Sequence, residues 1–207
     1  MRIVVTRPRG QEGELVARLE ALGHDVEVCP LVAVEQLGDD PVEVTGYDWV
    51  ILTSANGARE LRRRMTGVPA RVAAIGWATA TVFGGADLVP RVSTQEGLLA
   101  ELPRPAGRVL FAGAEGARRL LTDELDADFV PLYRTIELEP DWPPGCELVV
   151  LTSPSAARAY SRVGADLPAV SIGPETTAAA RAGGVEVVAE APTHDLEGLV
   201  AAVAAAG

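Results

Sequence analysis

The sequence predicts an α/β protein made of two similar domains, each built on a parallel sheet. One segment, Val50-Ile51-Leu52-Thr53-Ser54, returns about half a chain length later as Val149-Val150-Leu151-Thr152-Ser153. Two further segments repeat in the same order: Ile75-Gly76 as Ile172-Gly173, and Glu96-Gly97-Leu98 as Glu197-Gly198-Leu199. An internal repeat of this length indicates two domains of one architecture. Two such domains are expected to enclose a cleft, where small ligands bind.

Apolar runs of strand length alternate with amphipathic stretches of helix length, which is typical of doubly wound α/β folds. The runs at 49–52 and 148–151 contain no polar residue, as expected for parallel strands covered on both faces. The predicted strands cover residues 2–6, 25–29, 49–52, 71–75, 87–89, 108–111, 128–130, 148–151, 169–172 and 185–189.

Helices are predicted between the strands from their apolar spacing and their end signals. The first covers residues 12–22 and is ended by Gly23. An irregular segment then continues to Tyr47. Ser93 is predicted to cap a helix in a capping box with Glu96, and Asp195 to cap the alanine-rich last helix.

The strand count leaves two domain arrangements open. Two strand–helix–strand units, at 2–29 and 108–130, are each followed by Pro-Leu. The remaining strands form two groups of three, and each domain needs one group of three and one strand–helix–strand unit. Either neighbouring units pair, or the middle five strands form one domain while the two chain ends form the other. In the second case, the extended segments 32–37 and 133–139 would be crossovers.

Composition excludes several classes of partner and chemistry. The 207-residue chain has a net charge of −11, which argues against nucleic acid or an anionic membrane as a partner. All 18 basic residues are arginine, so Schiff-base chemistry and Walker-type phosphate loops, which need lysine, are excluded. With two cysteines, no secretory leader pattern and no bilayer-length apolar run, we expect a cytoplasmic protein.

The loops that follow the predicted strands are rich in hydroxyl groups and glycine. In parallel sheets such loops begin helices, whose exposed N–H groups bind carboxylates or phosphates. Their recurrence in both halves favours a ligand with many negative groups; the alternative is that the same residues only cap helices. The two histidines, His24 and His194, form no metal-binding motif, so an enzyme of this sequence would need neither a metal nor a covalent nucleophile.

Seven segments in order make the chain resemble the uroporphyrinogen-III synthases. They are Thr6-Arg7-Pro8, Asp48 to Gly57, Ile75-Gly76 with Thr79-Ala80, Glu96 to Leu99, Leu132 to Thr135, Leu151 to Ala156, and Ile172 to Thr176. The resemblance implies two flavodoxin-like parallel-sheet domains joined by a two-stranded ladder, with the active-site cleft between them. Residues 1–33 plus 139–207 would form a discontinuous domain, residues 38–132 an inserted domain, and residues 33–37 and 133–138 the crossover strands.

The resemblance also implies the reaction and its residues. Members of the family cyclise hydroxymethylbilane, a linear tetrapyrrole with eight carboxylates, to uroporphyrinogen III, with loss of water, inversion of ring D and no cofactor. Tyr133 matches a cleft tyrosine proposed to assist departure of the hydroxyl group. Thr79, Ser153 and Thr176 match substrate-binding hydroxyl residues; Ser54 and Asn56 from the mirror loop, and Arg7, complete the expected binding set.

Two positions depart from the family pattern. Ala112 precedes Gly113 where many relatives have arginine, and Glu175 stands where a small or hydroxyl residue is common. These departures support the alternative of a non-catalytic two-domain ligand-binding or regulatory module. A third possibility is another two-domain enzyme acting on a polyanionic metabolite. A monomer is expected, since no apolar stripe is left over.

Overall fold

The computed structural model describes residues 1–207, which form two compact units. The terminal unit consists of Met1–Ala33 and Thr135–Gly207, and the central unit of Val34–Arg134. The chain therefore leaves the terminal unit once and returns to it once.

Twelve strands and eight helices alternate along the chain. The strands are β1 (Arg2–Val5), β2 (Asp25–Val28), β3 (Val32–Gln36), β4 (Val42–Glu43), β5 (Trp49–Leu52), β6 (Met65–Thr66), β7 (Val72–Ala74), β8 (Val109–Ala114), β9 (Asp128–Glu137), β10 (Leu148–Leu151), β11 (Ala169–Ser171) and β12 (Val187–Glu190). The helices are α1 (Gly13–Ala21), α2 (Ala55–Arg64), α3 (Trp77–Phe83), α4 (Gln95–Glu101), α5 (Leu120–Leu125), α6 (Pro154–Val163), α7 (Pro174–Ala182) and α8 (Leu196–Ala206). None of the helices is long and apolar enough to cross a membrane.

The sheet of the terminal unit has the strand order β12-β11-β10-β1-β2, and all its pairs are parallel. Strand β1 lies between β2 and β10, with Ile3 opposite both Val26 and Leu148. Counted within the unit, this is the 2-1-3-4-5 order of flavodoxin-like folds. The N-terminal strand–helix–strand unit thus shares a sheet with the C-terminal strands, which the sequence pattern alone left open.

Helices cover both faces of this sheet. On one face, Leu15 and Leu19 of α1 and Leu199 of α8 pack against the strands. On the other, Tyr160 of α6 and Ala180 of α7 do so. Each fully buried leucine contributes about 1.5–3 kcal/mol of apolar burial. The unit is therefore a three-layer α/β/α structure.

The sheet of the central unit has the order β3-β9-β8-β5-β7, in which β7, β5, β8 and β9 repeat the 2-1-3-4 part of the flavodoxin-like order. Its pairs β5·β7, β5·β8 and β8·β9 are parallel. Leu61 of α2 packs on one face of the sheet, and Leu98 of α4 and Leu121 of α5 pack on the other. The predicted α/β class with two parallel-sheet domains is confirmed.

Several local predictions are wrong. Residues 87–89 form no strand; Leu88 makes only an isolated bridge to Ala73. The segment expected to be irregular contains β4, which pairs with β6 in a separate small sheet. The cap of α4 is Thr94 rather than Ser93: the Thr94 side chain accepts the N–H of Gly97 at 3.1 Å. Asp195 caps α8 as predicted, accepting the N–H of Gly198 at 2.8 Å.

The repeated Glu-Gly-Leu segments have a packing reason beyond helix initiation. A Cβ atom on Gly97 would lie 2.0 Å from the carbonyl oxygen of Val92, and one on Gly198 would lie 2.2 Å from that of Thr193. In both units the helix therefore lies directly against the backbone of the segment that precedes it. Only glycine permits this approach.

Candidate functional site

Each sheet has one topological switch point, where strand order reverses and ligands of open α/β sheets bind. In the central unit it lies between β5 and β8, and in the terminal unit between β1 and β10. Ser54 follows β5, while Arg7 and Ser153 follow β1 and β10. Three of the predicted site residues therefore stand at switch points.

Ser54 and Tyr133 meet at the carboxyl end of the central sheet. Ser54 is the N-cap of α2, and its Oγ accepts the N–H of Gly57 at 3.0 Å. The same oxygen lies 2.8 Å from the phenol oxygen of Tyr133. Tyr133 stands on β9 opposite Ala114, the last residue of β8, after a register shift in that pair. The bulge and the helix cap together bring the two hydroxyl groups into contact.

Tyr133 is a buried phenol with 6% of its surface exposed. Burial raises the pKa of Tyr133, and the hydrogen bond with Ser54 opposes this rise. A phenol whose pKa starts near ~10 and is raised further stays protonated at neutral pH. The group can therefore donate a proton and cannot act as a base there.

The other predicted residues of the central unit lie on the starts of α2 and α3. Asn56 is in the first turn of α2, and its Oδ1 accepts a hydrogen bond from Arg59 at 3.2 Å. Thr79 is buried in α3, the helix that follows β7. Trp77 opens the same helix and is 75% exposed. Sequence reasoning gave Trp77 no separate role, although it stands in one of the hydroxyl- and glycine-rich segments that follow the strands.

Arg7 of the terminal unit is a half-buried cation without a hydrogen-bond or ion-pair partner for its guanidinium group. Burial lowers the pKa of Arg7, and the charges of Glu14 and Glu12 partly offset this. An arginine still remains charged at neutral pH. A desolvated, unpaired cation at a switch point is suited to a carboxylate ligand.

Ser153 and Thr176 occupy equivalent helix starts in the terminal unit. Ser153 caps α6, accepting the N–H of Ala156 at 3.1 Å, and its Oγ also lies 3.1 Å from the Oγ of Ser155. Thr176 is buried in the first turn of α7, where its N–H donates to the carbonyl of Gly173 at 3.0 Å. Neither residue forms a hydrogen bond with a tyrosine.

Two further segments reach these helix starts and were missed by sequence reasoning. A Cβ on Gly76 would lie 3.2 Å from Ser93 Oγ, and one on Gly173 would lie 2.8 Å from the ring of His194. The segment before α4 therefore lies on the start of α3, and the segment before α8 on the start of α7. The repeated Ile-Gly pairs were the available signal, because glycine marks close approach of another chain segment.

The two positions that depart from the family pattern lie in different settings, and Glu175 is exposed in the first turn of α7. Ala112 is fully buried within the central core. The first arginines after Gly113 in the chain, Arg118 and Arg119, pair with acidic residues: Arg118 with Glu96 at 2.6 Å, and Arg119 with Asp123 at 3.5 Å. Because both pairs are exposed, they contribute little to stability.

The chain matches the family model described as "Uroporphyrinogen-III synthase HemD" over residues 13–201. It is 29% identical over 248 aligned residues to the uroporphyrinogen-III synthase of Synechococcus elongatus, covering 97% of this chain and 93% of that protein. Its fold is similar to a crystal structure of a mutant uroporphyrinogen III synthase from the extremely thermophilic bacterium Thermus thermophilus, with a TM-score of 0.65 and 18% identity over 100% of this chain and 98% of the other. From the family match over most of its length, the chain belongs to the uroporphyrinogen-III synthase family.

Proposed function

We propose that this chain converts hydroxymethylbilane to uroporphyrinogen III. Family membership supports the reaction, and the buried, protonated phenol of Tyr133 beside Ser54 is the observation in this chain that carries its chemistry. The reaction closes the linear tetrapyrrole, inverts ring D and releases one water.

The first step is loss of the terminal hydroxyl group. Tyr133 donates its phenol proton to the hydroxymethyl oxygen, and the C–O bond breaks with its electron pair leaving on water. Donation from the pyrrole nitrogen stabilises the resulting methylene cation. The remaining phenolate is neutralised when ring closure releases a proton from the attacked pyrrole. Acid assistance of this kind contributes about 10²–10⁴-fold.

The larger requirement is geometric. Attack must occur at the substituted carbon of ring D, giving a spiro intermediate whose rearrangement inverts the ring. Holding a flexible chain in such a geometry can contribute about 7–11 kcal/mol. Rigid binding groups at helix starts and strand ends are suited to this task.

The substrate carboxylates define the binding groups. Arg7 supplies an unpaired cation for one of them. Ser153 and Thr176 stand at the starts of α6 and α7, where first-turn N–H groups and the positive end of the helix dipole favour anions. In the central unit, Asn56 and Thr79 are the corresponding groups. Few basic side chains are then needed to bind the substrate carboxylates, in agreement with the net negative charge of the chain.

The proposed setting is the cytoplasm, with the protein acting as a monomer, without nucleic acid and without a cofactor. The acidic net charge of −11 supports the exclusion of nucleic acid. The absence of lysine supports a mechanism without a Schiff base.

The test is the identity of the product isomer. The purified protein is incubated with hydroxymethylbilane, and the oxidised products are separated into type I and type III isomers. Spontaneous closure gives type I, so formation of type III above a protein-free blank is the expected result. Type I alone, from a folded protein at neutral pH, would reject the proposal.

A further inference from the structure

The hydroxyl of Ser54 links the start of α2 to the phenol of Tyr133. Its oxygen accepts the N–H of Gly57 at 3.0 Å and lies 2.8 Å from Tyr133 Oη. A Cβ at Gly57 would lie 3.2 Å from that oxygen and 3.4 Å from the carbonyl oxygen of Ala112. The hydrogen bond from the Gly57 N–H thus holds the Ser54 oxygen at the start of α2, and any larger residue at position 57 would crowd it.

Either hydroxyl group can be the donor of this hydrogen bond in the free protein. The Ser54 oxygen has one lone pair occupied by the Gly57 N–H, and it keeps its own O–H. If Ser54 donates to Tyr133, the phenol proton stays available for a substrate. Once that proton has left, Ser54 must be the donor, because a phenolate only accepts. A hydrogen bond to a charged acceptor is about twice as strong as a neutral one.

We propose that Ser54 is a positioning residue for Tyr133 and not a contact of the substrate. By donating to the phenol oxygen, it leaves the phenol proton free for the substrate, and it stabilises the phenolate that remains after the proton moves to the leaving hydroxyl group. This inference rests on the proposed function and assigns the role of one residue within it. It replaces the substrate-binding role that the resemblance suggested for Ser54.

Charged groups on the adjoining elements do not take this role. On α2, Arg59 donates to Asn56, and on β9, Arg134 forms an ion pair with Glu35 at 2.9 Å. Glu115 follows β8, and its backbone N–H donates to the carbonyl of Tyr133. The pKa of Tyr133 is raised by burial and lowered by Ser54, with no contribution from these charges.

The terminal unit provides an internal comparison. Ser153 has the same capping role on α6 as Ser54 has on α2, with nearly identical backbone angles. Its oxygen lies near Ser155 instead of a phenol. The Pro-Leu pair that precedes Tyr133 is followed in the terminal unit by Val32. Ser153 is therefore a control for Ser54: it caps a helix in the same way but has no tyrosine beside it.

The first experiment measures the ionisation of Tyr133 without substrate. The three tyrosines are replaced by 3-fluorotyrosine, which lowers the pKa of the phenol into a range where the protein is folded. The Tyr133 signal in ¹⁹F NMR is assigned by its loss in Tyr133→Phe. In Ser54→Gly, which keeps a good N-cap, the pKa of Tyr133 should rise by about one unit. Ser54→Thr and Ser153→Ala should leave it unchanged, and an unmoved pKa in Ser54→Gly overturns the proposal.

The second experiment is a double-mutant cycle on type III formation. Ser54→Gly should lower the rate about tenfold, and Ser54→Thr should restore it. In a Tyr133→Phe background, Ser54→Gly should cost nothing further, because residues that act as one unit are not additive. If it lowers the rate by the same factor in both backgrounds, Ser54 contacts the substrate directly and the proposal is wrong.

The two experiments separate this inference from the proposed function. A wild-type protein that forms no type III isomer overturns the function and with it the catalytic part of this proposal. A wild-type protein that does form it, together with an unmoved pKa or an additive cycle, overturns the role of Ser54 alone.

Discussion

Replacing Gly97 by alanine should destabilise the protein, although alanine is the better helix former. An alanine Cβ would lie 2.0 Å from the carbonyl oxygen of Val92. Carbon–oxygen contacts need about 3.3 Å, so the segment before α4 must move by more than about 1 Å. That segment carries Thr94, whose cap on the N–H of Gly97 is worth about 1 kcal/mol. Strain from overpacking adds about 1–3 kcal/mol, and the helix propensity of alanine returns about 1 kcal/mol.

The expected net loss for Gly97→Ala is therefore about 1–3 kcal/mol. It is measured by urea unfolding with linear extrapolation, against Gly13→Ala as the matched control. Gly13 is the first residue of α1, and a Cβ there meets no atom within 4 Å. The control should be neutral or stabilised by up to about 1 kcal/mol. If both variants have the same stability as the wild type, the close approach at Gly97 does not constrain the fold.

Three further predictions concern the site and the core. Tyr133→Phe should lower type III formation about 10- to 100-fold. Burial raises the pKa of Tyr133, so the phenol of the folded protein stays protonated below pH ~10. The wild-type rate and the contribution of Tyr133 to stability should therefore both persist below this pH and decline only as pH rises through the folded-state pKa. The Tyr133→Phe variant should show no such decline in its pH–rate profile. Arg7→Gln should raise KM about tenfold without lowering the free energy of unfolding, since its half-buried guanidinium has no partner in the free protein; an unchanged KM would remove its binding role. Tyr160→Phe should cost about 1–3 kcal/mol in urea unfolding and leave the rate unchanged, because the Tyr160 hydroxyl satisfies both backbone groups of Leu167, at 3.0 and 3.1 Å; equal stability would show that water replaces it.

The parts of the fold that were predictable depend on local sequence. The unbroken apolar runs of β5 and β10 identify buried parallel strands, and every residue of both strands is buried. The helix caps at Ser54, Ser153 and Asp195 follow from residue type and position. These signals lie within a few residues of the structure they specify.

The parts that were not predictable depend on contacts between distant residues. The pairing of β1 with β10 joins Ile3 to Leu148, and no local pattern selects it over the pairing of neighbouring units. The same holds for Ser54 and Tyr133, which are 79 positions apart. Sequence motifs named both residues of this pair, but only the fold shows that they touch.

The two units share the residues that build the fold, but they differ in the residues to which the proposed chemistry is assigned. Both units keep the features that build the carboxyl end of the sheet. These are a serine cap after a buried strand and a capped helix with the repeated Glu-Gly-Leu in its first turn, whose glycine lies against the segment that precedes the helix. The reactive phenol is present in one unit only, at a position where the other has Val32. Arg7, which follows β1, is likewise matched by no cation at the end of the corresponding strand β8, where Gly113 and Ala114 stand. A duplicated fold can thus supply similar helix starts twice, while the proposed proton donor and the proposed carboxylate-binding cation each depend on a residue that only one unit has.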